Sequence, residues 1–427
     1  MLIALAVFVV VLALILTEWA HRTILAMVGA VVMVAVGKLL GFYNEGEALR
    51  AIDFNVIGLL LGMMVIVAIL APTGAFEYLA LRAGRASGGR PFRLLVLLSL
   101  VTSVLSMFLD NVTTVVVIAP VTIVLCEMLD INPAPFLLSE ALLSNIGGIA
   151  TLIGDPPNII IGSAARLSFN DFLVNSLPVV VGLWIAGLLV LRYLLRKELS
   201  VEPARYRELE RLDPREEIKD WVTARRTLIV SCAVIVLFVL QSPLHLAPAM
   251  IALTGAAAVL LWVRPEVHET VQRVEWSVLL FFAGLFVMVG GLEASGLLEK
   301  AAESLVGLKD VDPVLIGIAV IWMVGLLSAV VDNIPITIAI IPVILGLRSE
   351  GIDVEALWWA LAFGAGLGGN GTVIGASANV VVVSLSERTP HPITSAYWTR
   401  RGPATMLVTL VVASILYVPA YYLLYAP

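Results

Sequence analysis

Apolar runs close to the ~20 residues that a helix needs to cross a bilayer recur from one end of this chain to the other. They lack the short alternating segments of a membrane β-barrel. The runs predict five spans in the first half, at 2–18, 23–41, 55–79, 135–164 and 173–191, and five in the second, at 226–242, 247–263, 276–297, 355–385 and 403–425. Two more apolar segments, 94–129 and 314–347, are each split by an Asp-Asn pair and predict re-entrant hairpins that enter and leave on one side. The expected fold class is therefore an all-α polytopic membrane protein of about ten transmembrane helices, two of them interrupted, plus two re-entrant hairpins. Composition agrees, since 14% of residues are charged where soluble domains carry about 25%. The opening run, MLIALAVFVVVLALILTEWA, has neither a basic leader nor a clear small-residue cleavage site, so it reads as a first span rather than a signal peptide.

The polar interruptions reveal a duplication. Ser106-Met-Phe-Leu-Asp110-Asn111-Val-Thr113 is echoed 222 positions later by Ser328-Ala-Val-Val-Asp332-Asn333-Ile-Pro335. Gly147-Gly148-x-x-Thr151-x-x-Gly154-x-x-x-Asn158 returns at an offset of 221 as Gly368-Gly369-x-x-Thr372-x-x-Gly375-x-x-x-Asn379. Asp53, Gly62, Gly74 and Glu77 align with Glu275, Gly284, Gly296 and Glu299, again at 222. Shared membrane composition explains matched leucines, but it does not put Asp-Asn and Gly-Gly-x-x-Thr in register. Five spans per copy is an odd number, so the second copy is expected to run inverted. The predicted division is a first inverted repeat at 1–195, a cytoplasmic linker at 196–225 and a second repeat at 226–427. Placing Arg82–Arg93 in the cytoplasm gathers 20 of the 26 Lys and Arg residues there, Arg22 among them, and leaves both termini outside.

The stretch SNIGGIATLIGDPPNIIIGS, Ser144 to Ser163, breaks a helix inside an apolar span. Pro156 and Pro157 remove amide donors, and Gly147, Gly148 and Gly154 let the backbone turn. In a bilayer such a break survives only where protein or a water-filled cavity satisfies the backbone. Two half-helices are expected to meet there, offering amide donors and carbonyls to a solute or ion. The candidate solute-binding residues are Asn111, Thr113, Asn145, Gly148, Thr151 and Asn158 in the first half, and Asn333, Thr337, Asn370, Thr372 and Asn379 in the second, with Ser377 beside them. Asp110, Asp155 and Asp332 are the candidate proton- or ion-coupling groups, because a carboxylate inside a membrane is costly and usually marks an ion path.

Each residue also has a plainer reading. Asp110, Asp332, Asn158 and Asn379 fit helix caps, the glycines fit tight helix packing, and Glu140 fits an interfacial position. The copies differ where coupling would sit: Asp155 aligns with Ala376, and Thr113 with Pro335. No Lys or Arg falls inside the motifs, which favours a neutral polyol-like solute, a cation or a weakly charged anion. Cys126 and Cys232 have no paired spacing, and no zinc, haem, iron–sulfur or Walker A pattern occurs. The expectation is thus no metal site, no cofactor beyond a coupling proton or Na⁺, no nucleic-acid partner and, with no nucleophile–base pair, no enzyme.

Four stretches, FLDNVTTVVVIAPVTIVLCEMLDINP, SNIGGIATLIGDPPNIIIGS, DNIPITIAIIP and GGNGTVIGASANVVV, resemble the ion transporter superfamily that contains arsenite permeases, the melanosomal P protein, sodium/proton antiporters and divalent-anion symporters. They look closest to bacterial arsenic transporters related to the P protein, and the resemblance covers nearly the whole chain. It implies two inverted repeats, often assembled as a dimer, with a site built from the Asp-Asn tips and the broken helices. It also implies efflux of arsenite or antimonite, as the trihydroxy acid, across the inner membrane in exchange for protons. As(OH)₃ is neutral and polyol-like, which suits Asn, Thr, Ser and amide groups. A sodium/proton antiporter and a Na⁺- or H⁺-coupled anion transporter of the same superfamily are the alternatives. Association of the polar linker with a cytoplasmic ATPase is left open by the sequence.

Overall fold

The structure, a computed structural model, describes residues 1–17, 19–200, 213–297, 300, 311–349 and 351–425. The described residues form helices and connecting turns, with no strand among them. Seven of the described helices are long and apolar enough to cross a bilayer.

Local chemistry sets the helix ends. The Asp53 side chain accepts from the Asn55 and Val56 amides and starts Phe54–Leu70. Asp220 does the same for Trp221–Val239, so this span begins before the expected 226 and the linker is shorter than 196–225. Residues 201–212 of the linker lie outside the described residues. The expected span 55–79 is divided. Pro72 stands in a short 3₁₀ turn after Leu70, and Gly74, at φ +82°, redirects the chain into a separate helix, Ala75–Ala86.

The helix bounds repeat at the offset of the motifs. Pro91–Ser106 and Asn111–Leu129 are the arms of the first hairpin, and Pro313–Ser328 and Asn333–Ser349 those of the second. The first broken helix is Ala134–Gly148 with Pro156–Ala165, and the second Glu355–Gly368 with Ser377–Ser386. In each copy the first arm of the hairpin packs along the first half of the broken helix. The ties between them repeat as well. Ser106 Oγ donates to the Ser144 carbonyl at 3.0 Å, and Ser328 Oγ to the Ala365 carbonyl at 2.8 Å.

The outer helices pair across the copies. Arg22–Leu40 packs on Trp276–Ala294, and Phe54–Leu70 on Pro248–Val263. Small residues bring these backbones together. A Cβ on Gly284 would lie 2.8 Å from the Ala26 carbonyl group, and one on Gly62 would lie 2.5 Å from the Ala252 carbonyl carbon. The contacts Ala26–Gly284, Gly29–Met288 and Met33–Gly291 climb both helices together, so that pair is parallel. Tyr43 and Ala51, beyond the end of Arg22–Leu40, both reach Gly290. The chain therefore enters Phe54–Leu70 at the level where Trp276–Ala294 ends. Phe54–Leu70 runs opposite to its own counterpart, which makes the two copies inverted.

The described ends of the linker are anchored. Tyr397 Oη donates to Glu198 at 2.6 Å, Arg401 pairs with the same carboxylate, and the Lys219 amide donates to the Thr73 carbonyl at 2.9 Å.

Candidate functional site

Among the described residues, six helix N-termini open onto one cleft: those beginning at Arg22, Asn111, Pro156, Trp276, Asn333 and Ser377. Arg22, Asp110, Asn111, Asp155, Glu275 and Asn333 supply most of its polar lining, and Leu60, Met64, Val278 and Ile334 its apolar wall. Its cavity of about 20 Å³ has room for roughly one water molecule. Each helix N-terminus carries about half a positive charge. Asp110, Asp155, Glu275 and Asp332 each occupy the position just before one of these helices. That placement is the physical reason four acids can gather between apolar helices.

The copies load their tips differently. Asp110 accepts from the Thr113 amide at 2.9 Å and from the Thr113 hydroxyl at 2.5 Å, so its carboxylate is engaged locally as a helix cap. Pro335 replaces that threonine in the second copy and has neither donor. Asp332 caps only the Ile334 amide, at 3.1 Å. Its second oxygen accepts from Ser377 Oγ at 2.9 Å and from Arg22 Nη1 at 3.0 Å. Asp155 joins the two tips: its oxygens accept from the side-chain amides of Asn333, at 3.1 Å, and Asn111, at 3.4 Å.

Beneath the cleft lies a buried amide network. Asn145 accepts from Asn111 at 3.0 Å and donates to the side-chain oxygens of Asn370, at 2.9 Å, and Asn379, at 3.0 Å. Asn370 in turn donates to the Leu142 carbonyl at 3.1 Å, so the bonds run both ways between the copies. Replacing Asn145 by Ala strands buried donors and acceptors on three asparagines, at about 1–3 kcal/mol for each group left unpaired. Unfolding of the variant in detergent, followed by temperature, is expected to begin well below that of the parent.

Other predicted residues hold the breaks together and do not face the cleft. Asn158 donates to the Gly148 and Thr151 carbonyls at 3.0 and 2.8 Å, and Asn379 donates to the Gly369 and Thr372 carbonyls at 2.7 and 3.0 Å. The Thr151 hydroxyl donates to the Met107 carbonyl, as Thr372 does to Ala329, tying each break to its hairpin tip. Gly148 and Gly154 serve close packing: a Cβ on the first would lie 2.7 Å from the Gly154 carbonyl oxygen. Thr337 is buried and donates back to the Asn333 carbonyl at 2.8 Å, away from the cleft lining. Glu140 is fully buried, not interfacial, because the whole of Ala134–Gly148 is enclosed. Thr122 donates to its Oε1 at 2.6 Å, and its Oε2 has no hydrogen-bond partner.

Sequence reasoning missed two charged members of the cleft. Arg22 belongs to a terminus counted as a cytoplasmic loop, yet its guanidinium reaches the second tip, so the expectation of a site without basic groups does not hold. Nothing in its local sequence signals this. Glu275 did carry a signal, as the repeat mate of Asp53.

Residues 12–364 match the family model described as Citrate transporter, CitMHS. The chain is 39% identical over 424 residues to the 46 kDa membrane protein of Mycobacterium leprae, with 97% of each chain covered. It is 40% identical over 426 residues to an uncharacterised transporter of Mycobacterium tuberculosis, again with 97% of each covered. The P protein of Homo sapiens is 35% identical over 493 residues, spanning 96% of this chain and 59% of that one. The solved YdaH transporter of Alcanivorax borkumensis shares the fold, with a TM-score of 0.63 at 15% identity over 93% of this chain and 98% of that one. With a family match across most of its length and named transporters among its relatives, this chain belongs to the CitMHS citrate transporter family of membrane transporters.

Proposed function

We propose that this chain is a proton- or sodium-coupled secondary transporter. In this reading it loads its coupling ion on the carboxylates of the cleft and exchanges it for a small solute by alternating access. The observation that carries the reading is Asp155, one buried carboxylate held by amides from both hairpin tips. An ion bound there is felt by both copies at once. In the orientation set by the basic residues, Arg22 and Glu275 start helices at the cytoplasmic side, so the cleft faces inward. On that orientation Asp53, the mate of Glu275, marks the opposite face. It accepts from Ser163 beside a 370 Å³ cavity between Phe286, Val289, Ile338 and Pro342.

For the solute we propose arsenite, with antimonite, as the neutral trihydroxy acid exported against protons. Asn111, Asn333 and Ser377 supply neutral donors and acceptors for it. A second reading, a small carboxylate anion, is favoured by the Arg22 guanidinium in the cleft and by the citrate of the family's description. Everted vesicles carrying the protein and energised by a pH gradient separate the two. Gradient-driven arsenite accumulation that is lost with a protonophore and competed by antimonite supports the first. Accumulation of citrate without arsenite selects the second, and sodium-induced collapse of the gradient with no solute uptake selects cation antiport.

A further inference from the structure

The described lining of the cleft has three acids, Asp110, Asp155 and Glu275, and one cation, Arg22, with the carboxylate of Asp332 bonded to Arg22 and Ser377 at its edge. Arg22 and Glu275 begin neighbouring parallel helices, and the Thr23 hydroxyl clamps these starts together by donating to the Ser277 carbonyl at 2.9 Å. The Arg22 guanidinium also lies 5.4 Å from the centre of the Phe281 ring on the same outer pair. Asp332 and Ser377 belong instead to the second hairpin and the second broken helix. The Arg22–Asp332 ion pair, with side-chain exposures of 30% and 15%, therefore joins the outer helix pair to the second hairpin, and its partial burial shields it from salt. Asp110 and Asp155 complete the charged groups around it. The first tip has no such bridge: the contacts of Ala26 with Gly284 and of Ala252 with Gly62 make Pro248 the mate of Arg22, and Asp110 is satisfied by Thr113.

We propose that Arg22 is a tethered cation that latches the empty hairpin tip through Asp332 and passes to Glu275 when a coupling ion or the exchanged solute takes its place, so that only a loaded tip is free to move. The proposal rests on the coupled-transport reading above. Its chemistry balances simply. On one leg a proton or sodium ion neutralises the Asp332 carboxylate, on the other the hydroxyl donors of the solute replace the guanidinium on it, and each time Arg22 keeps its charge and pairs with the Glu275 carboxylate on its own side. An exchanger needs such a rule, because an empty carrier that returns dissipates the gradient. A cation fixed to the outer helices supplies it without consuming a solute.

The full chain in proteoliposomes tests this with no solute present. An internal pH-sensitive dye reports protons and labelled sodium reports Na⁺ while a potassium diffusion potential is imposed. The parent is expected to be tight. Arg22→Gln is expected to leak one of the two ions at least about tenfold faster, and Arg22→Lys to stay close to the parent. Deuterium exchange of peptides over Val331–Ile336 gives a second readout, rising in Arg22→Gln and not in Arg22→Lys. No leak and no rise in tip exchange overturns the latch, as does loss of solute-coupled flux with an unchanged tip, which would make Arg22 a solute ligand. Failure of the coupled-transport reading shows separately, as a parent protein in which no solute moves protons or sodium while the tip readout still responds to Arg22.

Discussion

Asp155→Asn is expected to lower coupled flux on the order of a hundredfold while leaving the protein folded, the scale set by losing about 3 kcal/mol of charge-assisted hydrogen bonding in a desolvated site. The carboxylate offers acceptors to both Asn333 and Asn111. An amide in its place keeps one acceptor and turns a donor toward the other tip, so one asparagine would face donor against donor. The negative charge that we propose holds the coupling ion is also gone. The second copy cannot compensate, since Ala376 occupies the matching position. Initial rates of gradient-driven uptake in vesicles of matched protein content measure the loss, and thermal unfolding in detergent shows whether the fold survives. A variant that transports at the parent rate would remove Asp155 from the coupling site.

Gly154→Ala is expected to be the costliest single-methyl change in the first broken helix. Its Cβ would lie 2.5 Å from the Gly148 carbonyl oxygen and 2.6 Å from the Ser106 carbonyl oxygen, both backbone atoms that a rotamer change cannot move. Overpacking of this kind costs about 1–3 kcal/mol, and the shift needed would part the break from the hairpin. Gly375→Ala in the second copy, where the matching contacts are 2.7 and 3.1 Å, should suffer less. Gly182→Ala should be nearly neutral, since its closest neighbour is the flexible end of Leu416. Midpoints of thermal unfolding for the three variants check this order.

Most of the architecture was legible because membrane helices leave long apolar runs and their interruptions are chemically distinct. Asp-Asn and Gly-Gly-x-x-Thr stood out against leucine and valine, and their common offset placed both hairpins and both breaks. The span 55–79 was misread because Pro72 and Gly74 sit inside a run that stays apolar on average. At the site, Asp110, Asn111, Asp155 and Asn333 line the cleft, whereas Asn158, Asn379, Thr151 and Thr372 splint the backbone around it. Sequence cannot separate these roles, because an asparagine that caps a break and one that faces a solute carry the same donors and acceptors. Arg22 stayed hidden for another reason. Its contact with Asp332 spans 310 residues and depends on how the inverted copies interlock, which no local pattern encodes.

The central claim, one cleft served from two faces by inverted copies, is tested most directly by thiol accessibility along a single helix. Val278 lines the cleft and Val289 the cavity at the other end of Trp276–Ala294. With Cys126 and Cys232 replaced, Val278→Cys and Val289→Cys would each be exposed to a membrane-impermeant thiol reagent, applied from either face at acid and at alkaline pH and with arsenite or citrate present. The account predicts labelling from opposite faces and reciprocal responses, one site slowing under the conditions that speed the other. Labelling of both from the same face, or rates that rise and fall together, would contradict it.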